Sequence, residues 1–421
     1  MSRLRAGETT RGTLQAVSVA ILGVLPAFLV GALAVQIRAD LGMGLGMFGI
    51  AAATLFAVSG LLARSGGRLV QRLGAGRGAA LAAALATVSL GTVALARSPG
   101  WLMVALAIGG LGNAVAQPTA NLGISQLVSD RRLGLAFGIK QSAIPAATLL
   151  GGLAVPGVAL VLGWRWAAVA AVALAALLLA WSGTRWRVAA TGRRPDAARE
   201  PDKGLPRGGL VVLTLGGFLG SAAATPTGVF LVDSAVAAGA TPATAGLLFA
   251  GCSVLGLSSR VGFGWLADRH VERSRYLFIA NLLTAGAVGY LLLATGRVPV
   301  FVVGSLLAYG LGWAWTGLFH FAVIRDNRGA AAAVTGFVQT GLSLGAASGP
   351  LFFGIVAQSS SYAVAWLSAA VLSLAAALMI RTGRRMVRRS RGLPVAALRR
   401  PSGGHRRTGL TPVTPTRRTA T

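Results

Sequence analysis

The chain has 421 residues, of which 54% are hydrophobic and a further 59 are glycine, whereas only 12% are charged. Soluble domains carry about 25% charged residues, so this composition excludes an ordinary soluble enzyme, a soluble nucleic-acid-binding domain and a disordered chain. The net charge of +29 does not indicate nucleic acid, because the basic residues form short clusters between long apolar runs, as in membrane proteins. We therefore expect a chain that lies mostly in a lipid bilayer.

Cysteine and histidine are too scarce for a disulfide framework or a metal site. The single cysteine, Cys252, lies inside an apolar run, and the chain has three histidines. We expect Cys252 to be a small packing residue. No metal and no cofactor are predicted.

Apolar runs long enough to span a bilayer recur along the chain. The first, from Thr13 to Gln36, is longer than the apolar region of a signal peptide, so it is interpreted as an uncleaved transmembrane helix. Twelve spans are predicted, near 13–36, 45–63, 78–96, 101–125, 134–161, 165–182, 209–232, 243–260, 275–295, 299–322, 330–356 and 363–380.

The charges between these spans predict the topology. One set of loops holds twelve arginines: Arg64, Arg68, Arg72, Arg77, Arg131, Arg132, Arg260, Arg269, Arg273, Arg275, Arg325 and Arg328. The other set holds four: Arg38, Arg97, Arg165 and Arg297. Because basic loops stay in the cytoplasm, both termini are predicted to be cytoplasmic, in a multi-pass protein of the cell membrane.

The longest polar break divides the spans into two sets of six. The predicted parts are a cytoplasmic N-terminus over 1–12, a six-helix bundle over 13–182, a cytoplasmic linker over 183–208, a second six-helix bundle over 209–380 and a basic, disordered cytoplasmic tail over 381–421. The fold class is therefore all-α integral membrane, with about twelve transmembrane helices in two bundles.

The two halves repeat the same motifs. Gly67-x3-Gln71-Arg72 follows the second predicted span, and Gly264-x3-Asp268-Arg269 follows the eighth. Gly138-x2-Gln141 in the fifth span returns as Gly336-x2-Gln339 in the eleventh, 198 residues later. Two motifs repeated at nearly one offset indicate a tandem duplication of a six-helix unit. Parallel repeats of this kind build a central cavity that opens alternately to each side, which favours a transporter.

The segment Gly262-Phe-Gly264-Trp-Leu-Ala-Asp268-Arg269 resembles the loop signature of the major facilitator superfamily. The resemblance covers about residues 13 to 380, and the segment Ile139-Lys140-Gln141-Ser-Ala-Ile-Pro145 is similar to the Gly/Pro-rich fifth helix of bacterial members. It implies that the loop clusters latch the cytoplasmic ends of the halves. The first copy departs from the family by having Gln71 where an aspartate is usual, so an asymmetric latch is expected, with Asp268 the stronger half. A topology marker without a switching role is the alternative. The predicted gate residues are Gly67, Gln71, Arg72, Gly264, Asp268 and Arg269.

Lys140 is the only charged residue well inside the predicted spans. It lies about six residues, or ~9 Å, from the cytoplasmic end of the fifth span. A charge at this depth is costly and usually functional, and a lysine facing the cavity would favour an anionic substrate group. The alternative is that Lys140 snorkels to the interface. His320 is either a proton-sensitive partner or a packing histidine.

Further polar and aromatic residues complete the predicted site. Asn113, Gln117 and Asn121 are spaced by four and share one helix face; interhelical hydrogen bonding is the alternative role. Trp313 and Trp315 lie in mid-helix, where one of them can line the cavity. The substrate-binding or gating candidates are Lys140, Gln141, Asn113, Gln117, Gln339, Trp313 and His320.

These observations predict a monomeric secondary transporter that moves a small organic solute, with a weak preference for an anion, by rocker-switch alternating access. The coupling ion is left open, a proton being one candidate. The alternatives are a proton-coupled multidrug or metabolite exporter on the same fold, and a membrane enzyme or lipid-handling scaffold. No nucleophile and base pair is found, so no enzymatic activity is predicted. The expected partners are a small-molecule substrate and the lipid bilayer, without nucleic acid.

Overall fold

The apolar runs form helices throughout the computed structural model, which describes residues 2–127, 133–185, 207–269, 274–327 and 331–390. No strand occurs within these ranges. The helices of the first half are α1 Ser2–Ala32, α2 Ala34–Leu41, α3 Leu45–Ala94, α4 Pro99–Leu127, α5 Leu133–Gln141, α6 Ala143–Ala154, a π-helical turn Val155–Ala159, α7 Leu160–Leu162 and α8 Trp164–Arg185. Those of the second half are α9 Arg207–Ala237, α10 Pro242–Arg269, α11 Arg275–Ala294, α12 Val298–Gly310, α13 Trp315–Asp326, α14 Ala331–Ser359 and α15 Tyr362–Ser390.

These pieces combine into the twelve predicted crossings. Ten helical stretches of the described residues are long and apolar enough to span a bilayer, and the apolar helix Trp164–Ala180 is shorter. The 50-residue α3 supplies two crossings because Gly74 interrupts it with φ 75° and ψ 171°, a conformation that glycine adopts readily. The fifth span consists of α5 to α7, and the tenth of α12 and α13. The all-α membrane fold class is confirmed.

Several helices run past their predicted ends. The eighth span was expected to end at Arg260, but α10 continues to Arg269. Residues 381–390, predicted to belong to a disordered tail, instead extend α15, and Arg384 Nε donates to Ser274 Oγ at 2.6 Å. The hydropathy pattern ends at the first charges, whereas backbone hydrogen bonds continue through them. Residues 186–206 of the linker, 391–421 of the tail, and Arg131 and Arg132 lie outside the described residues.

The two halves meet along several helix pairs. The first half packs α3 against α14, α5 and α6 against α10, α1 against α9, and α5 against α13. We call the end of the molecule that holds Gly74, the start of α5 and the end of α10 the basic end. The end that holds α2, the end of α9 and the start of α15 is called the opposite end. The interface between the halves is where the candidate site lies.

A candidate substrate cavity between the two halves

A cavity of about 80 Å³ lies between the halves. Its polar wall mixes amide, hydroxyl and imidazole groups from both halves, and three aromatic rings form part of its apolar wall. The lining residues are Val24, Phe28, Phe56, Asn113, Gln117, Gln141 and Ile144 of the first half and Ser221, Thr225, Trp313, Thr316, His320, Gln339, Leu342, Ser343 and Ala346 of the second. None of these described lining residues carries a carboxylate.

Lys140 lies one layer behind this wall. Its side chain on α5 is only 3% exposed, and Nζ donates to Gln117 Oε1 at 2.6 Å. Gln117 Nε2 donates to Asn113 Oδ1 at 3.0 Å, and Asn113 Nδ2 donates to Ser59 Oγ at 2.9 Å. No ion pair to Lys140 is found among the described residues. The Lys140 ammonium group is therefore held by the neutral side-chain amide of Gln117, which lines the cavity. Asn121, which shares a helix face with Asn113 and Gln117, is not among the residues that line the cavity.

His320 of the second half lines the cavity and connects the two halves. Its Nδ1 lies 2.9 Å from the Thr316 carbonyl oxygen, and its Nε2 lies 3.0 Å from Gln339 Oε1. Gln141 Nε2 of the first half approaches Nδ1 at 3.4 Å. Gln339 Nε2 in turn donates to Ser343 Oγ at 3.2 Å. The predicted residues Gln141, His320 and Gln339 thus form one hydrogen-bonded group across the interface.

Trp313 lies in the four-residue turn 311–314 that separates α12 from α13. Its ring lines the cavity and packs edge-on against Phe28 of the first half, with 5.6 Å between ring centroids. Trp315 instead is fully buried against Phe319. Because the turn interrupts the helical hydrogen bonds, the Trp313 carbonyl oxygen is free to accept from a side chain.

That side chain is Arg260, which was predicted to lie in a loop. It lies within α10, is 1% exposed, and donates from Nη2 to the Trp313 carbonyl oxygen at 2.9 Å. The expectation that Lys140 is the only charge well inside the spans is therefore wrong. The sequence carried one signal: Arg260 lies nine residues, or about 13 Å of helix, before Arg269, which leaves room for the span to continue.

The halves touch at the basic end through α5 and α10. Asp268 accepts from the Gly134 and Leu135 backbone N–H groups, each at 2.8 Å, which places a carboxylate on the first turn of α5. The α5 and α10 backbones approach so closely that a Cβ at Gly264 would lie 2.5 Å from the Gly134 carbonyl oxygen. Arg269 is exposed, with its guanidinium 3.9 Å from the Trp265 ring centroid.

Among the residues that the structure describes, the first copy of the loop signature makes no such contact. Gln71 and Arg72 are exposed, and a Cβ at Gly67 would have no neighbouring atom within 4 Å. Within the described part of the chain, the two copies therefore differ in structure, and only the copy with the carboxylate is seen to join the halves.

The halves also touch at the opposite end. Arg38 of α2 forms an ion pair with Asp233 of α9, and Tyr362 Oη donates to the same Asp233 oxygen at 2.6 Å. Nearby, the Gly46 backbone N–H donates to Gln358 Oε1 at 2.7 Å. Polar contacts between the halves thus lie at both ends of the bundle, with the cavity between them.

Comparisons with known proteins agree with this architecture. The family model of the Major Facilitator Superfamily matches residues 16–328. Many solved structures share the fold, among them the crystal structure of the human organic anion transporter MFSD10 (TETRAN), with a TM-score of 0.64 and 18% sequence identity over 88% of this chain and 99% of that one. A comparison with curated sequences finds no significant match. The chain is thus a member of the Major Facilitator Superfamily, a multi-pass membrane transporter.

Proposed function

We propose that this protein is a secondary transporter of a small organic anion in the cell membrane. The observation that carries the proposal is Lys140, a buried cation that has no ion pair among the described residues and donates to cavity-lining Gln117. A charge inside a membrane protein is expensive to bury and usually faces a pathway or a partner. A carboxylate entering the cavity would supply that partner.

Transport proceeds by rocking of the two halves around the cavity. The contacts at Asp268 close the basic end, and the contacts at Asp233 close the opposite end. Breaking one set while keeping the other exposes the cavity to one side at a time, which is the alternating-access scheme for parallel repeats. Because one chain builds the whole cavity, a monomer suffices.

The basic end is assigned to the cytoplasm. It carries exposed arginines, among them Arg64, Arg68, Arg72 and Arg269, and the excess of basic residues in short loops marks the cytoplasmic side. The neighbouring fold of a human organic anion transporter is compatible with an anionic substrate. The coupling ion is unassigned; His320 is the candidate for a proton site because it lines the cavity.

The proposal is tested by ligand-induced thermal stabilisation of the purified protein in detergent. A panel of small organic anions is compared with lipophilic cations, for the wild type and Lys140→Gln. A ligand present at one hundred times its Kd stabilises the protein by about 2.7 kcal/mol. We expect at least one anion to raise the Tm of the wild type and to lose that effect in Lys140→Gln.

Arg64→Gln is the matched control, since Arg64 is an exposed cation at the basic end and should leave the ligand response unchanged. Stabilisation by lipophilic cations that survives Lys140→Gln would reject the anion assignment and favour an exporter of amphipathic drugs, for which the rings of Phe28, Phe56 and Trp313 would form the binding wall.

A further inference from the structure

A second buried cation approaches the cavity from the other half. Arg260 is 1% exposed, and its guanidinium carbon lies 5.4 Å from the centroid of the Trp313 ring, which lines the cavity. Only Nη2 has a hydrogen-bond acceptor, the Trp313 carbonyl oxygen. Nε and Nη1 are buried and have no hydrogen-bond partner among the described residues.

This environment does not satisfy a guanidinium. The group has five N–H donors and a charge that cannot be removed at physiological pH. A carbonyl oxygen and an aromatic face are neutral partners, and two donor nitrogens remain unmatched. Burying a charge without a counter-ion is strongly unfavourable, so a residue with only a packing role at this position would be more stable as an apolar side chain. A carboxylate that binds Nη2 together with Nε or Nη1 would supply the missing counter-charge.

Arg260 and Lys140 are arranged alike in the two halves. Each is buried, has no ion pair among the described residues, and donates to one neutral oxygen of a cavity-lining residue, Trp313 or Gln117. They lie on either side of the seam between α10 and α5, where a Cβ at Gly138 would come within 2.5 Å of the Arg260 carbonyl oxygen. A ligand between the halves is therefore flanked by one cation from each.

We propose that Arg260 is a second anion-binding residue and that the substrate is a small dianion, a short dicarboxylate with one carboxylate held by each half. This inference rests on the proposed anion transport, and it adds that the substrate carries two negative charges and is short. The cavity of about 80 Å³ compares with the ~10–15 Å³ that one enclosed water molecule needs, so it has room for a short chain. Arg260 exchanges its single neutral acceptor for a carboxylate, to which a guanidinium binds with two parallel hydrogen bonds.

The experiment measures binding of malonate, succinate and glutarate, and of the monocarboxylates of equal chain length, by calorimetry on the purified full-length protein. The wild type should bind the best dicarboxylate at least tenfold tighter than its monocarboxylate. Arg260→Gln and Arg260→Met should lower the affinity for the dicarboxylate by about 30-fold or more, which is the usual effect of truncating one partner of a buried charge pair. Both variants should also lose the preference for the dicarboxylate over the monocarboxylate. Arg64→Gln should leave both affinities unchanged.

A second measurement separates binding from a structural role. Without ligand, Arg260→Met should melt at the same temperature as the wild type or higher, because it removes an uncompensated buried charge. A lower Tm, or failure to fold, would show a structural cation and overturn the proposal. Equal binding of mono- and dicarboxylates that Arg260→Met does not change would also overturn it, while leaving the anion transporter intact. Absence of binding by every anion in the wild type would reject the proposed function itself.

Discussion

The two copies of the repeated motif form seams of different tightness at the basic end. At the α5–α10 seam, Gly134 and Gly264 bring the backbones into contact, and Asp268 caps α5. At the corresponding part of the α3–α14 seam, a Cβ at Gly67 or Gly336 would have no neighbour within 4 Å. A duplicated sequence thus gives two helix pairs of the same kind, but not the same contacts.

The α3–α14 seam is tight elsewhere. At the opposite end, a Cβ at Gly49 would lie 2.4 Å from the Pro350 carbonyl oxygen, and a Cβ at Gly354 would lie 2.6 Å from the Leu45 carbonyl oxygen. The α6–α10 pair is equally close there, since a Cβ at Gly152 would lie 2.8 Å from the Gly246 carbonyl oxygen. The difference between the seams is therefore confined to the basic end, and we expect this end to open first between α3 and α14.

The largest effect is expected from Gly138→Ala compared with its repeat partner Gly336→Ala. The new methyl at 138 would lie 2.5 Å from the Arg260 carbonyl oxygen, whereas at 336 it meets nothing within 4 Å. Overpacking of this kind costs about 1–3 kcal/mol, so Gly138→Ala should lower the Tm of the purified protein and its transport rate. Gly336→Ala should be neutral or slightly stabilising, because alanine favours helix. Equal effects of the two changes would show that the seams do not differ.

The second comparison replaces the two residues at the same place in the loop signature. Asp268 accepts one hydrogen bond on each carboxylate oxygen. Asp268→Asn keeps a single acceptor oxygen, so it loses one of these bonds and the negative charge at the start of α5. We expect this change to destabilise the closed basic end by about 1–2 kcal/mol. Gln71→Ala alters an exposed side chain and should stay within about 0.5 kcal/mol. The Phe137 ring on α5 stacks against His320 of the second half, so thiol labelling of a cysteine introduced at Phe137 reports separation of α5 from that half. Increased labelling in Asp268→Asn alone is expected; the same increase in Gln71→Ala would contradict the asymmetry.

The third comparison concerns the opposite end. Tyr362 and Asp233 both belong to the second half, so Tyr362→Phe leaves the Arg38 ion pair between the halves in place but removes the hydrogen bond that orients the Asp233 carboxylate toward Arg38. A hydrogen bond to a charged acceptor contributes about 1.5 kcal/mol to stability, or somewhat less where water has access. We therefore expect this variant to favour opening at the opposite end. Thiol labelling of a cysteine introduced at Ser234 should increase. Labelling at Phe137 should not rise. A parallel rise at both positions would indicate general loosening rather than selective opening.

The smallest effect is expected from an ion pair that does not join the halves. Arg165 and Asp40 both belong to the first half and lie 2.8 Å apart, with side chains 41% and 42% exposed. Exposed pairs contribute about 0–1 kcal/mol, so Asp40→Asn should change neither the transport rate nor the labelling pattern. This variant is the control for the Arg38 and Asp233 pair, and a large change in transport would mean that the two pairs act together.

Much of the site could be predicted because the relevant residues are exceptional in an apolar chain. Lys140, His320 and Gln339 are polar residues inside apolar runs, and the repeat at an offset of 198 places Gln141 and Gln339 at equivalent positions. Arg260 was missed for the same reason that Lys140 was found. A charge in the middle of a run is recognised as internal, whereas a charge near the end of a run is taken for the boundary.

The sequence by itself determined the class of the molecule. Its apolar runs require helices in a bilayer, because every buried backbone group must be paired within its own segment, and its repeated motifs require two related halves. Only the tertiary structure decided which repeat contacts the other half, that Arg260 and Lys140 each donate to a residue lining one cavity, and that Arg38 meets Asp233 across 195 positions of chain. These outcomes depend on how helices from different halves pack, and spacing along one helix carries no information about its neighbour's rotation or distance.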